Sequence, residues 1–187
     1  GSHLALFYAD FFPRASKRGG AWMTNFVNQE VIDGNDIRPV IVNVGNFAKP
    51  EGDKPSLLTL DQVSTLFHEF GHALHGLLSQ CNYKSVSGTS VARDFVELPS
   101  QIMENWTFQK DLLKEYARHY ETGEVIPDSL VAKIEAAGTF NQGFMTTELA
   151  AASVLDLKWH MLDSVEGVSP IAFEAEACSD MGLISEI

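Results

Sequence analysis

Hydrophobic positions follow a strand-like pattern in the first third of the chain. Short apolar runs rich in β-branched and aromatic residues alternate there with turn residues, which is typical of strands. The predicted strands are Leu4–Phe12, Ala21–Val27 and Pro39–Val44. The segment Asp33-Gly34-Asn35-Asp36 predicts a turn. Pro39 favours a strand start or an edge strand over a central position.

The pattern becomes helical from Thr59 onward, where apolar residues recur every three or four positions. Thr59 and Gln62 form a capping box, in which each side chain accepts a backbone N–H at the start of a helix. That helix is predicted to end near Ser79, before a loop over Tyr83–Arg93 whose centre at Gly88 is predicted to be mobile. Start and stop signals predict five further helices: Asp94 to Phe108, Asp111 to Gly123, Pro127 to Gly138, Asn141 to Leu162, and Ser169 to Gly182.

These elements predict an α+β fold that is predominantly helical, with a small N-terminal sheet followed by helices. We treat residues 1–187 as one domain. The 187 residues are 45% hydrophobic, which is typical of a globular chain and not of a disordered one. No apolar run approaches the roughly 20 residues of a membrane helix, and the start lacks a signal-peptide pattern. We therefore expect no membrane partner.

Charge and cysteine content narrow the possible partners and compartment. The formal net charge is −12, which argues against nucleic acid as a partner because phosphate binding needs clustered Lys and Arg. The two cysteines, Cys81 and Cys178, indicate idle or buried thiols and not a disulfide framework. A reducing compartment fits them, and we expect the cytoplasm.

The segment that carries chemistry is His68-Glu69-Phe70-Gly71-His72, an H-E-x-x-H sequence inside the first predicted helix. Residues four apart lie on one helix face, so both imidazoles can bind one ion. Glu69 directly follows the first ligand and can hydrogen-bond a water at the metal as a general base. Imidazole and carboxylate ligands with an open position favour Zn²⁺.

A chance occurrence of this motif on a solvated helix face is the simplest alternative. Gly71 and Gly76 argue against it, because glycine costs ~1 kcal/mol relative to alanine inside a helix. Their presence predicts that another backbone approaches this helix closely.

A third ligand has to come from elsewhere in the chain. His75 is seven residues from His68, about 10 Å along the helix, whereas bonds to zinc are about 2 Å. We therefore place His75 near the metal or in the core, not among its ligands. The second predicted helix offers three carboxylates, at Asp94, Glu97 and Glu104.

Position along the second predicted helix leaves the choice of carboxylate open. Asp94 is the predicted cap, and Glu97 could be its capping-box partner. Glu97 and Glu104 lie on one face, which suits one metal ligand and one hydrogen bond to a ligand imidazole. Glu97 has only a small advantage as the ligand, and Glu104 is a candidate for supporting the ligands or touching substrate.

Several segments resemble the thimet oligopeptidase family of zinc metallopeptidases, known as M3. The closest resemblance lies in His68–Gly76 (HEFGHALHG), Ser87-Gly88-Thr89 and Arg93–Trp106 (RDFVELPSQIMENW). Three more segments resemble its bacterial peptidyl-dipeptidase branch: Phe7–Phe11, Gly20–Met23 and Arg38–Pro50. The resemblance covers nearly the whole chain and implies a zincin-like catalytic core.

The resemblance also implies roles for single residues. It makes His68, His72 and Glu97 the zinc ligands and Glu69 the catalytic base, and it places Gly88 in a flexible loop that contacts substrate. The strand near Gly20–Phe26 would bind an extended peptide by β-augmentation. The implied activity is release of C-terminal dipeptides from oligopeptides, with oligo-endopeptidase cleavage as the alternative within the family.

The chain also departs from the family pattern. Members are several times longer, with a large helical portion before this region and, after it, a segment whose His and Tyr residues bind substrate. Nothing here matches that segment, so we expect a catalytic-domain fragment whose partner is the rest of its parent chain. Each lost oxyanion donor costs about 10²–10³-fold in rate, which predicts weak activity alone. A zinc-binding fragment without catalysis and a fortuitous motif in a helical interaction domain are the remaining alternatives.

Overall fold

The computed structural model describes residues 2–184 of the chain. The strands are β1 (Leu6–Asp10), β2 (Trp22–Val27), β3 (Glu30–Ile32), β4 (Asn35–Ile37) and β5 (Val40–Val44). The α-helices are α1 (Leu60–Leu77), α2 (Leu98–Glu104), α3 (Lys110–Tyr116), α4 (Asp128–Ala137), α5 (Gln142–His160) and α6 (Pro170–Ala177). Short 3₁₀ turns cover Lys84–Val86, Asn105–Phe108 and Ser179–Met181.

The chain divides into two compact units, Gly1–Asp128 and Ser129–Ile187. The first unit contains all five strands and helices α1 to α3, and the second contains α5, α6 and nearly all of α4. The single domain that the sequence indicates stays a prediction.

Three strands form the main sheet in the order β1-β5-β2. β1 is parallel to β5, whereas β2 is antiparallel to it and carries an irregularity between Asn25 and Val27. Pro39 directly precedes the central strand β5, and its carbonyl accepts the N–H of Leu6 at 3.1 Å. Of the two placements predicted for Pro39, the structure shows the strand start.

A short hairpin flanks the predicted turn. Strands β3 and β4 pair through three residues each around Asp33-Gly34, where φ is 49° and 79°. Two successive left-handed residues form the hairpin turn that asparagine, aspartate and glycine favour. The turn prediction is confirmed. The two strands themselves were not predicted, because three residues are too few to show an alternating pattern.

Helix α1 begins as the sequence predicts. Gln62 N–H donates to the Thr59 hydroxyl at 3.2 Å, and Thr59 N–H donates to the Gln62 side chain at 3.0 Å. Ala73 and Gly76 are buried, and a Cβ on Gly76 would lie 2.7 Å from Ile41 Cδ1. One face of α1 therefore packs directly on the central strand.

Helix α2 packs on another face of α1 at Gly71. A Cβ there would lie 2.5 Å from Pro99 O and 2.6 Å from Ser100 Cα. Only glycine allows this approach of two backbones, so the prediction drawn from Gly71 and Gly76 is confirmed.

Two polar residues hold the end of α1, and their role was not evident in the sequence. The Arg38 guanidinium donates to the carbonyls of Leu77 (3.0 Å) and Ser79 (3.2 Å), which lack partners within the helix. The buried Gln29 side chain accepts from Cys81 N–H at 2.6 Å and donates to Cys81 O at 2.9 Å. Both residues are distant in sequence from α1, so local signals could not reveal these bonds.

The predicted start of the second helix is wrong. Asp94 does not cap α2, which begins at Leu98 after a series of turns. Pro99 has no N–H and cannot continue the hydrogen-bond ladder toward residue 95; Leu98 N–H instead bonds Phe95 O at 2.9 Å. The predicted end near Phe108 is confirmed, since a 3₁₀ turn extends α2 to that residue.

The predicted end of the third helix is also wrong. Helix α3 stops at Tyr116, and the following residues form a small hairpin in which Arg118 pairs with Val125. Gly123 has φ 71° and bonds His119 O at 2.7 Å. This glycine therefore forms the hairpin turn and does not end a helix.

The helices of the second unit agree with their predictions within a few residues. Asp128–Ala137 and Gln142–His160 match the predicted fourth and fifth helices. The last helix begins at Pro170 as predicted but ends at Ala177, and the 3₁₀ turn that follows stops before Gly182.

The Gly71 contact gives a stability prediction. Gly71→Ala should lower the free energy of unfolding by about 1–3 kcal/mol, because the new methyl group meets rigid backbone and forces α1 and α2 apart. Urea denaturation of the purified chain measures this change. Gly143→Ala in α5 is the matched control, since its Cβ meets nothing within 4 Å. Equal stability of the two variants would contradict the predicted clash.

Candidate metal centre

Helix α1 and the start of α2 bring three ligand atoms together. His68 and His72 lie one turn apart on α1, with ring centroids separated by 4.9 Å. Glu97 Oε2 lies 3.1 Å from His72 Nε2 and 3.4 Å from His68 Nε2. A single carboxylate oxygen therefore faces both imidazoles.

The spacing of these atoms fits a small divalent cation. Tetrahedral zinc with bonds of 2.0–2.1 Å places its ligand atoms about 3.3 Å apart, close to both distances from Glu97. The three ligand atoms lie within 4.8 Å of one another, and no other such group of His, Cys, Asp or Glu occurs among residues 2–184. Two imidazoles and one carboxylate are also one of the donor sets found at catalytic zinc sites.

Ser100 holds the Glu97 carboxylate in place. Its hydroxyl, fully buried, lies 2.8 Å from Glu97 Oε2 and 2.9 Å from Glu97 O. The hydrogen bond from Ser100 lowers the pKa of Glu97, and the nearby histidines lower it further. Glu97 is therefore kept ionised, as a metal ligand requires. The Ser100 contact was missed from sequence, where only its position three residues after Glu97 hinted at it.

Glu104 orients the other side of the His68 ring. Its Oε1 lies 2.6 Å from His68 Nδ1, and it follows Glu97 by seven residues, or two helical turns. A carboxylate that accepts the Nδ1 proton leaves the Nε2 lone pair free for a metal. The structure thus places the Glu104 carboxylate beside His68. Support of the ligands is one of the two roles that the sequence left open for Glu104.

Burial favours the metal-binding form of His72. Removal from water lowers the pKa of the His72 imidazole, while the negative charge of Glu97 opposes this shift. The neutral imidazole is the form that binds a cation.

Glu69 lies on the side of α1 that faces the sheet. Only 8% of its surface is exposed. Burial raises the pKa of its carboxyl group, and the negative charge of Glu97 raises it further, while His68 opposes the shift. Its Oε2 is buried without a hydrogen-bond partner among the described residues. Such a carboxyl group is a stronger base than an exposed one.

Two clefts open beside His68 and Glu69. A cleft of about 360 Å³ is bounded by the first residues of β2, by the ligands and by Thr89. A second cleft of about 450 Å³ lies toward the start of α1, where Asp61 and Glu104 contribute carboxylates. Ala21 lines both clefts, so an extended chain along the edge of β2 would pass His68 and Glu69.

His75 and Gly88 are not part of the group of three ligand atoms. The His75 ring stands edge-on to Phe95 at 6.0 Å, and burial lowers its pKa. Gly88, with φ 55°, donates its N–H to the Ser79 hydroxyl at 3.0 Å, and its backbone packs on Gly76. The centre of the loop is anchored to α1 in the structure, and its mobility stays a prediction.

The geometry describes a site that can hold a divalent cation with a carboxylate base beside it. The chain matches Peptidase family M3 over residues 1–181, and it belongs to that family.

The similar proteins are named as peptidases. Dipeptidyl carboxypeptidase of Escherichia coli (strain K12) is 50% identical over 171 residues, which cover 91% of this chain and 25% of that protein. The Salmonella typhimurium protein of the same name is 51% identical over 178 residues, 95% of this chain and 26% of its own length. Oligopeptidase A of Escherichia coli (strain K12) is 43% identical over 156 residues, with coverage of 82% and 23%.

The chain thus spans about a quarter of the length of the curated relatives it matches. Within residues 2–184, every helix is too short or too polar to cross a membrane.

The Glu104 contact predicts an effect on metal affinity. Glu104→Ala should weaken binding of added Zn²⁺ about 10–100-fold, the usual effect of removing a partner of a ligand histidine. Competition with a chromophoric chelator measures the dissociation constant. Glu135→Ala removes an exposed carboxylate of α4 and serves as the control. Unchanged affinity in Glu104→Ala would show that His68 is oriented without this carboxylate.

Proposed function

We propose that this chain is the zinc-binding catalytic part of an oligopeptidase that releases dipeptides from peptide C-termini. The observation that carries the proposal is the convergence of His68, His72 and Glu97 Oε2 beside the buried carboxyl group of Glu69. Membership of peptidase family M3 supports the reaction class. The names of the two bacterial relatives that are 50% and 51% identical support the dipeptidyl specificity.

Zn²⁺ is the metal that best fits the two imidazoles and the carboxylate. When bound, it would polarise the scissile carbonyl and make a neighbouring water more acidic. The protein groups hold this arrangement: Ser100 keeps Glu97 ionised and Glu104 fixes the His68 ring. We infer a zincin-like core on this basis, with the motif helix α1 packed against the sheet.

Glu69 acts as the general base in this proposal. Its carboxylate takes a proton from the attacking water as the new C–O bond forms. It then gives a proton to the nitrogen of the leaving amine as the C–N bond breaks. The burial that raises the pKa of Glu69 serves the first step, because it makes the carboxylate a stronger base toward the attacking water.

The outer strand β2 is the proposed binding strand for substrate. β2 is an edge of the three-stranded sheet, and its first residues line the metal cleft. An extended peptide could pair with its backbone by β-augmentation and pass its scissile bond over the ligands. Thr89 lines the same cleft, which supports a substrate contact for the loop that contains Gly88.

The rest of a longer polypeptide is the proposed partner of this chain. The relatives are about four times longer than the region matched, so further substrate-binding groups are expected outside it. We also propose a cytoplasmic location, which the two free cysteines support.

Internal cleavage of oligopeptides is the second candidate function. The similarity to oligopeptidase A supports it. Cleavage of one blocked-C-terminus peptide and of its free-acid form, followed by mass spectrometry, separates the two activities. Dipeptide release from the free acid alone supports the first candidate.

Glu69→Gln tests the catalytic role. In the polypeptide of full natural length, kcat for a quenched fluorescent peptide should fall by at least about 10²-fold, the usual contribution of a general base. Zinc content, measured by anomalous scattering at the zinc edge, should stay at one ion, because Glu69 is not a ligand in this proposal. Glu135→Gln in α4 is the matched control.

Three results would contradict the proposal. Undiminished hydrolysis by Glu69→Gln would exclude it as the base. Absence of zinc from the unsubstituted protein after loading would exclude the metal assignment. A zinc-loaded, full-length protein that hydrolyses no peptide would favour the zinc-binding, non-catalytic alternative.

A further inference from the structure

A single polar residue interrupts the central strand of the sheet. β5 has the sequence VIVNV, and Asn43 is its only polar position. The residue is 1% exposed, and neither Nδ2 nor Oδ1 has a hydrogen-bond partner among the described residues. An unpaired buried amide is costly, and an apolar side chain would satisfy the packing of this strand better.

The register of the sheet places Asn43 between the sheet and α1. Side chains alternate along a strand, so Asn43 lies on the same face as Ile41. Ile41 lies 2.7 Å from the position of a Cβ on Gly76, which shows that this face is turned toward α1. Asn43 is also the register partner of Met23 on β2, and directly opposed residues share a face.

Glu69 reaches the same layer from the helix side. Glu69, Ala73 and Gly76 are buried on α1 at the spacing of one helix face. Met23 again marks the level, because Met23 and Glu69 line the same cleft. The layer between α1 and the sheet therefore contains both amide atoms of Asn43 and the buried Oε2 of Glu69. Each of these three atoms is without a partner among residues 2–184.

We propose that Asn43 is a positioning residue for Glu69. One buried water accepts a hydrogen bond from Asn43 Nδ2 and donates to Glu69 Oε2, which fits the two to four partners that buried waters require. This link fixes the rotamer of Glu69 so that its other carboxylate oxygen faces the metal cleft. The inference rests on the proposed function, because it gives Asn43 a role in the step that Glu69 performs.

Asn43→Leu separates positioning from a structural role. Leucine has nearly the shape of asparagine without its polar atoms. In the polypeptide of full natural length, kcat should fall about 10–100-fold, as for other partners that orient a reacting group. KM should stay within about twofold and zinc content should not change, while the melting temperature should be retained because leucine fills nearly the same space.

Two further variants sharpen this test. Asn43→Ser keeps a hydroxyl group that can hold the water, so kcat should recover to within about threefold of the unsubstituted protein. Thr107→Val is the matched control, because Thr107 is also fully buried with an unpaired hydroxyl group and valine has its shape. This control should keep kcat unchanged.

Loss of kcat in Asn43→Leu with a retained melting temperature, and its recovery in Asn43→Ser, would support the inference. Unchanged kcat in Asn43→Leu would overturn it. A fall in kcat that accompanies unfolding or loss of zinc in both Asn43→Leu and Asn43→Ser would also overturn it. If the unsubstituted protein hydrolyses no peptide, the proposed function fails and a crystal structure of the zinc-loaded protein decides the position of Asn43. A water between Asn43 and Glu69 supports the inference, and an amide bonded elsewhere overturns it.

Discussion

The contact between α1 and α2 at Gly71 is the constraint on which the site depends. The backbone of Pro99 and Ser100 lies where a side chain of residue 71 would be, so the two helices approach as closely as backbones allow. This approach brings Glu97 to both histidines and Glu104 to the far side of the His68 ring. A wider separation would leave the imidazoles on α1 without a carboxylate, and no group of three ligands would exist.

The same packing sets the charge states of the site. Burial against α2 and the sheet favours the neutral imidazole at His72 and raises the pKa of Glu69. Glu97 stays half-exposed and ionised because Ser100 donates to it. One cleft is therefore lined by a carboxyl group whose pKa is lowered, Glu97, and by one whose pKa is raised, Glu69. Asn43 of the central strand β5 lies in the layer between α1 and the sheet that also contains Glu69.

Local signals predicted the elements that depend on neighbouring residues. The capping box of Thr59 and Gln62, the turn at Asp33-Gly34 and the Pro170 helix start are all present. Predictions were wrong where a distant contact or a missing donor decided the outcome. Pro99 cannot continue the hydrogen-bond ladder, so Asp94 does not cap α2. The residues after Tyr116 pair as a hairpin, which ends α3 early.

The sequence by itself determined which groups are available for chemistry: two histidines and a glutamate at helical spacing, with glycines that predict close packing. It also determined the family, because the motif and its flanking segments are specific. Only the tertiary structure decided which carboxylate faces the histidines and which atom of His68 Glu104 contacts. Both depend on how closely α1 and α2 approach each other and on side-chain hydrogen bonds such as the one from Ser100 to Glu97. Bonds of this kind join side chains whose relative positions are set by packing, and residue spacing along the chain does not encode them.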